Sequence, residues 1–560
     1  MKKRNTKALF AFALTLLGLG LAVRALFGFC WSDESFYLTF AQRLWNGQKL
    51  ILDEWHPVQF YSVLFYPLLS LYHAFFGTQG IYLFARELYV LLALGISLLL
   101  YFTLCRETRP LPAFLCAGLY LAYSRGNIWG LSYYNLFLSF CLLFAVLTLR
   151  GRSLEGKGRK ASFFLGGLCL GAAVLCVPYF ALFVIAGLGV FLCLSRPRRD
   201  ALWALAGIVL SAGVFLVFFF PKDLSGVMEN LPEIFSDPEH LGGPLQYLLA
   251  AIRDVKLLYA YEALAALLAG LLLILGLRFL PKSWGTLPGL LSAAAVAALS
   301  LWRYRAGEIG FAYYQLALFC LPGLTVCWLK REILLPPALL RLLGMAMGLS
   351  MALSSNTEAI TFTVGLPVYA MGALWQLSCV KMPEGKPIRF FAGALACAVL
   401  ALTCAGRVTQ VFRDGPLDTL TEAMASGPAA GIRTTPEHAA QYREILSMLE
   451  ELEGTYSSEN RIFFSSILPW GYLAADFPCG APTAWRTTLD SPRLERYYTV
   501  HPEAIPQIVV ILKPSVGDYP GTPAPNKYAP EGWLWEYLTE NQYEHLEYSW
   551  GDVYVSPQAN

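Results

Sequence analysis

Charge is what this chain has least of. Only 14% of its 560 residues are Asp, Glu, Lys or Arg, against 56% hydrophobic residues, and the mean hydropathy is +0.50. That balance excludes a soluble globule. A net charge of +3 is too small to imply a nucleic-acid partner. Histidine is scarce, at 6 residues, and no CxxC pair or His/Cys cluster points to a metal site. No glycine-rich phosphate loop points to nucleotide hydrolysis. The chain also lacks internal repeats and low-complexity runs. Of its 13 cysteines, all but Cys30 and Cys479 fall in or at the ends of apolar runs, where a thiol acts as a small apolar residue. Those two share one side of the membrane, and sequence alone does not show whether they pair.

What is abundant is apolar sequence in runs of membrane-spanning length. A helix needs roughly twenty apolar residues to cross hydrocarbon, because no water is present there to satisfy exposed backbone groups. Candidate spans are residues 9–29, 84–104, 111–123, 131–149, 162–177, 179–194 and 201–220. They continue at 257–277, 287–301, 311–329, 336–353, 359–377 and 390–405. This is about thirteen crossings. The first run, behind Lys2, Lys3 and Arg4, is longer than a signal-peptide core and reads as an uncleaved span.

Basic residues in the short loops 106–109, 150–160, 196–199, 278–282, 330–331 and 381–389 all fall on one side if the N-terminus is cytoplasmic. Counting residues 58–76 as a crossing would break that parity. This segment, with Tyr61, Tyr66 and Tyr72, is therefore expected to lie in the outer interface of the cytoplasmic membrane. Two domains follow: a helical membrane domain, 1–406, with a long first outer loop, 31–83, and an extracytoplasmic mixed α/β domain, 407–560. In the second, the pattern predicts a helix over 436–452 and strands over 461–467, 507–512, 543–548 and 552–556.

Asp33 and Glu34 stand a few residues past the first span, where carboxylates near hydrocarbon are costly and often mark a substrate path or catalytic site. Apolar residues at Phe36, Tyr37, Phe40, Ala41, Leu44 and Trp45 follow at helical spacing. They predict a helix with one apolar face lying on the outer leaflet, its acids at the electropositive N-terminus. Helix capping by Ser32 or Asp33 is the plainer role and is compatible with catalysis. Asp53 and Glu54 form a second acidic pair beside His56, and with Tyr61 they are candidate sugar- or donor-binding residues. Arg303 and Arg305 sit in an outer loop against the positive-inside bias, which suggests an anionic ligand. Lipid headgroups or Glu308 would satisfy them equally. Arg86 beside Glu87 reads as a structural ion pair anchoring the outer loop.

The run Asp33-Glu34-Ser35-Phe36-Tyr37, then Ala41-Gln42-Arg43-Leu44-Trp45-Asn46-Gly47, then Asp53-Glu54-Trp55-His56-Pro57, then Gly77 and Arg86 resembles the first outer loop of bacterial GT-C glycosyltransferases. Similar loops occur in protein O-mannosyltransferases and in the aminoarabinose transferases that modify lipid A. The resemblance covers roughly residues 1–200, and more loosely the layout of spans plus outer tail. It implies a hexosyl or pentosyl transfer from a polyprenyl-phosphate sugar donor to a cell-envelope glycan, lipid or protein acceptor, with Asp33 as base and Glu34 placing the acceptor. One departure stands out: residues 124–130 offer Arg125 and Asn127 but no second carboxylate. No obligatory cofactor or divalent ion is therefore expected, although a cation recruited by Asp33, Glu34 and Asp53 stays open. The competing class is a transporter or flippase of lipid-linked glycans, which would carry ionisable residues deep within its spans. Here only Arg24, Glu262 and Glu358 approach that description.

Overall fold

In a computed structural model, the described residues are 2–194, 199–235, 242–276, 287–327, 334–355, 357–379, 385–465, 468–485, 487, 489–513, 516 and 531–559. The basic loops 196–199, 278–282, 330–331 and 381–389 lie wholly or partly outside them. The membrane part is helical: α1 (Lys2–Ala25), α2 (Asp33–Trp45), α3 (Tyr66–Phe76), α4 (Ile81–Glu107), α5 (Pro110–Ala122), α6 (Tyr133–Arg152), α7 (Gly156–Cys176), α8 (Phe180–Leu194) and α9 (Arg199–Phe218). It continues with α10 (Leu224–Phe235), α11 (Pro244–Leu258), α12 (Ala260–Gly276), α13 (Leu287–Arg305), α14 (Phe311–Cys327), α15 (Leu335–Ser354), α16 (Leu366–Cys379) and α17 (Gly385–Thr409).

Six described helices, in α1, α4, α6, α7, α9 and α15, are long and apolar enough to cross a membrane. A seventh crossing arises if the short helix Glu358–Val364 and α16, bent by 52°, form one span. Others are apolar but shorter. Helix α5 has 13 residues, about 20 Å at 1.5 Å per residue, and is followed by a turn in which Gly126 and Asn127 both take positive φ. Outward-facing apolar side chains support a lipid environment: Leu9, Phe12, Leu16, Leu19 and Val23 make an exposed stripe along α1 at alternating spacings of three and four. Packing between α7 and α9 relies on glycine. A Cβ at Gly167 would meet Ala204 O at 1.9 Å, and one at Gly207 would meet Phe164 O at 2.1 Å, so the two backbones approach through small residues.

The segment expected in the interface forms a 3₁₀ turn, Gln59–Leu64, and α3, which at 11 residues is too short to cross. Leu68, Leu71, Phe75 and Phe76 on α3 are exposed, as an interfacial helix requires. Helix α2 departs from the expectation of a helix lying on a leaflet. Its polar positions Thr39, Gln42 and Arg43 are buried along with its apolar ones.

The C-terminal part explains that enclosure. It holds β1 (Glu422–Ala423), β2 (Arg433–Thr434), α18 (Pro436–Thr455), β3 (Ile462–Ser465), α19 (Pro469–Ala474), α20 (Pro492–Val500), β4 (Ile508–Leu512), α21 (Trp533–Glu540), β5 (Glu544–Glu547) and β6 (Gly551–Val555). Strands order β3-β4-β6-β5, with β3 parallel to β4 and the rest antiparallel. The four strand segments expected from the sequence thus all fall in this sheet. Helix α19 packs on α2, with Gln42 donating to the Tyr472 carbonyl and Arg43 to that of Ala481 at 3.1 Å. The backbone beyond α1 pairs with β2: Gly28 N donates to Arg433 O at 2.8 Å and Arg433 N to Leu26 O at 2.7 Å. Cys30 and Cys479 form no disulfide. The Cys479 sulfur lies 3.3 Å from Arg43 Nη1, and that of Cys30 lies 3.7 Å from Ser32 Oγ.

Candidate active site

The two acids that open α2 have different surroundings. Glu34 is 3% exposed and meets Arg86 of α4 in a bidentate pair, both contacts at 2.5 Å. The same guanidinium donates to Ala25 O at 2.6 Å and Gly28 O at 2.7 Å, the carbonyls that end α1 and turn the chain. Arg86 is therefore the anchoring residue anticipated from the sequence, but its partner is Glu34 rather than its neighbour Glu87. Planar guanidinium geometry suits this double role. With both oxygens so held, Glu34 fixes the start of α2 and thereby the place of its neighbour.

Asp33 is that neighbour, and its side chain is 18% exposed. Its Oδ2 lies 2.6 Å from Nη1 of Arg413, in the segment that follows α17. That nitrogen donates to Ser32 Oγ at 2.6 Å, and Asp33 Oδ2 accepts no aligned hydrogen bond among the described residues. Ser32, at the N-cap position, makes no side-chain cap bond. Tyr37 and Tyr133 both feel the charges of Asp33 and Arg125, and their rings are 5.9 Å apart. Burial, then the Asp33 charge, pushes the Tyr37 phenol well above its ordinary range. Arg125 stacks over Tyr134 at 3.8 Å and donates to Thr357 Oγ1 at 2.9 Å. A partly open carboxylate thus stands against the Arg413 guanidinium and within electrostatic reach of Tyr37 and Tyr133, which also feel Arg125.

The other sequence-predicted residues form a second cluster further along the loop. Glu54 is buried and 3.1 Å from Arg43. Burial pushes its carboxyl above the ordinary range, opposed by Arg43. His56 is buried against Phe36 and Phe40, its Nδ1 accepting from Val58 N at 3.2 Å. Tyr61 is fully buried and donates to Tyr37 O at 2.9 Å. Asp53 closes a turn, its Oδ2 accepting from Lys49 N at 2.6 Å. The tail clamps this stretch: Trp55 N donates to Pro482 O, and Arg493 to Trp55 O. Glu54, His56 and Tyr61 are thus committed to internal contacts that hold the loop's shape.

Arg303 finds its anion within the protein, pairing with Glu262 at 2.8 Å and Glu308 at 3.1 Å, while Arg305 is exposed. Sequence reasoning missed Arg413, since an arginine in a polar tail carries no signal of where it folds. No set of three or more His, Cys, Asp and Glu side chains among the described residues is placed to hold a metal.

No protein-family model and no curated protein matches the chain. Among solved structures it is similar to the apo oligosaccharyltransferase of Archaeoglobus fulgidus, at 13% identity and a TM-score of 0.41, covering 90% of this chain and 69% of that one.

Proposed function

We propose that this protein is a membrane glycosyltransferase of GT-C type, moving a sugar from a polyprenyl-phosphate-linked donor to an acceptor hydroxyl on the outer face of the cytoplasmic membrane. The reading rests on the resemblance of the first long loop and on one structural observation. Of the acids opening α2, Glu34 is held on both oxygens by Arg86, while Asp33, its side chain 18% exposed, is paired through Oδ2 with Arg413. Once Arg413 turns to the donor, Asp33 can accept a proton, as a general base requires.

In the reaction the acceptor oxygen attacks the anomeric carbon, the bond from that carbon to the phosphate oxygen breaks, and Asp33 takes the acceptor proton. Configuration inverts because the displacement is single. Arg413, paired with the carboxylate, and Arg125, which shares Tyr37 and Tyr133 with it, would stabilise charge developing on the departing phosphate. For Arg413 this means exchanging its contact with Asp33 for one with the donor. The thirteen crossings, a cytoplasmic N-terminus and an outer tail from residue 407 belong to this reading and put Asp33 at the external water boundary. In this reading the bent pair, the short apolar helices α5, α8, α12, α14 and α17, and α13, which holds the run 287–301, would add to the six long helices.

Release of polyprenyl phosphate from radiolabelled donor by purified protein tests the proposal. Asp33→Asn should lose about 10²–10⁴-fold in rate. Equal turnover by both proteins rejects Asp33 as base. Movement of an intact glycolipid across vesicles without sugar transfer assigns the chain to the carriers instead.

A further inference from the structure

Three arginines from distant parts of the chain converge where the tail meets the helices. Arg24 of α1 donates to the carbonyls of Val408 at 2.7 Å, Phe27 at 2.7 Å and Gln410 at 2.9 Å. Arg407 of α17, 3% exposed, donates from Nη1 to Asn127 Oδ1 at 2.6 Å and stacks 3.5 Å above Trp129. Its Nε has no hydrogen-bond partner among the described residues. Arg86 is the third, within electrostatic reach of both.

One carboxylate, Glu34, answers these three cations. The other nearby acids are engaged elsewhere. Asp33 pairs with Arg413, and Asp414 accepts from Phe29 N, Thr434 Oγ1 and His438 Nδ1. Carbonyl oxygens and an indole face satisfy N–H groups, but they do not neutralise charge. An uncompensated ion held away from water is strongly unfavourable, so an anion is called for. A buried polar atom without a partner is also the usual mark of an unseen water or ion.

The space for it exists. A cavity lined by Arg24, Arg86, Glu34, Asn127 and Trp129 admits the centre of a water-sized sphere over about 10 Å³. It holds one small occupant. Arg407 lies against two of its walls, Asn127 and Trp129. Val411 and Phe412 close the cavity from the tail side, and a phosphate group would have to displace them. We propose that this cavity is a binding site for a monatomic anion of the chloride class. Its occupancy balances the arginine cluster and secures residues 408–412 against the bundle. The inference is independent of the glycosyltransferase reading.

The test uses the full chain purified in detergent in gluconate buffer, with chloride or bromide replacing gluconate at constant ionic strength. Halide should raise the thermal midpoint by about 3 °C or more and saturate, and Arg407→Gln should abolish most of that rise. Should this variant not fold, bromide-soaked crystals of the unaltered protein should show an anomalous peak beside Arg24 and Trp129. A midpoint indifferent to the exchange, or one raised by inorganic phosphate but not by halide, overturns the proposal.

Discussion

Replacing Arg86 by leucine probes the junction on which the candidate site is built. Glu34 is 3% exposed and both its oxygens lie 2.5 Å from the guanidinium, so the substitution leaves an ionised carboxylate buried without a partner. Such a break costs about 3–5 kcal/mol. The carbonyls of Ala25 and Gly28 also lose their donor, adding about 1–3 kcal/mol each where water does not replace it. Glu34→Leu strands the guanidinium in the same way. The double substitution removes both charges and should recover about 2–3 kcal/mol relative to the sum of the singles. Buried thiols such as Cys116 and Cys141 supply the readout, because a fluorogenic maleimide reports their exposure as detergent-solubilised protein is heated. Arg86→Leu with the midpoint of the unaltered protein, or a double variant no better than the added singles, would refute the pairing.

Glu54 carries a pH signature. Burial raises its carboxyl pKa in the folded state, so the protonated form is favoured there and its stabilising contribution is complete below the unfolded value, about 4.3. That contribution is lost as pH rises through the folded value. Thermal midpoints across this window should slope downward, and Glu54→Gln should flatten the slope. At the α7–α9 contact, Gly207→Ala forces a methyl to within 2.1 Å of Phe164 O. It should destabilise by at least about 1–3 kcal/mol, read by the same thiol assay. Asp414→Ala leaves Phe29 N, Thr434 and His438 without their shared acceptor. Limited proteolysis should then cut between α17 and β2 faster than in the unaltered chain, and Asp414→Asn should restore part of the protection.

The elements of this fold were legible wherever the sequence pattern is local. Helix α1 follows from one long apolar run, strands β3, β4, β5 and β6 from short segments bounded by polar and turn residues, and an interfacial rather than crossing α3 was expected from the parity of basic loops. The environment of α2 was not legible, for a specific reason. Its polar positions look solvent-facing until the C-terminal part, more than four hundred residues later, covers them: α19 accepts from Gln42, and Ala481, beyond α19, accepts from Arg43. The candidate site divides along the same line. Asp33 and Glu34 could be singled out as adjacent acids near hydrocarbon, but nothing local distinguishes them. The difference comes from Arg86, 52 residues from Glu34, and from Arg413, 381 residues from Ser32. Ion pairs leave no periodic trace, so a sequence shows which residues can ionise but not which of them remain available to a substrate. The arginine cluster makes the same point from the opposite sign. Arg24 and Arg407 each look like the end of a span, and only their meeting over Trp129 makes a site that needs an anion.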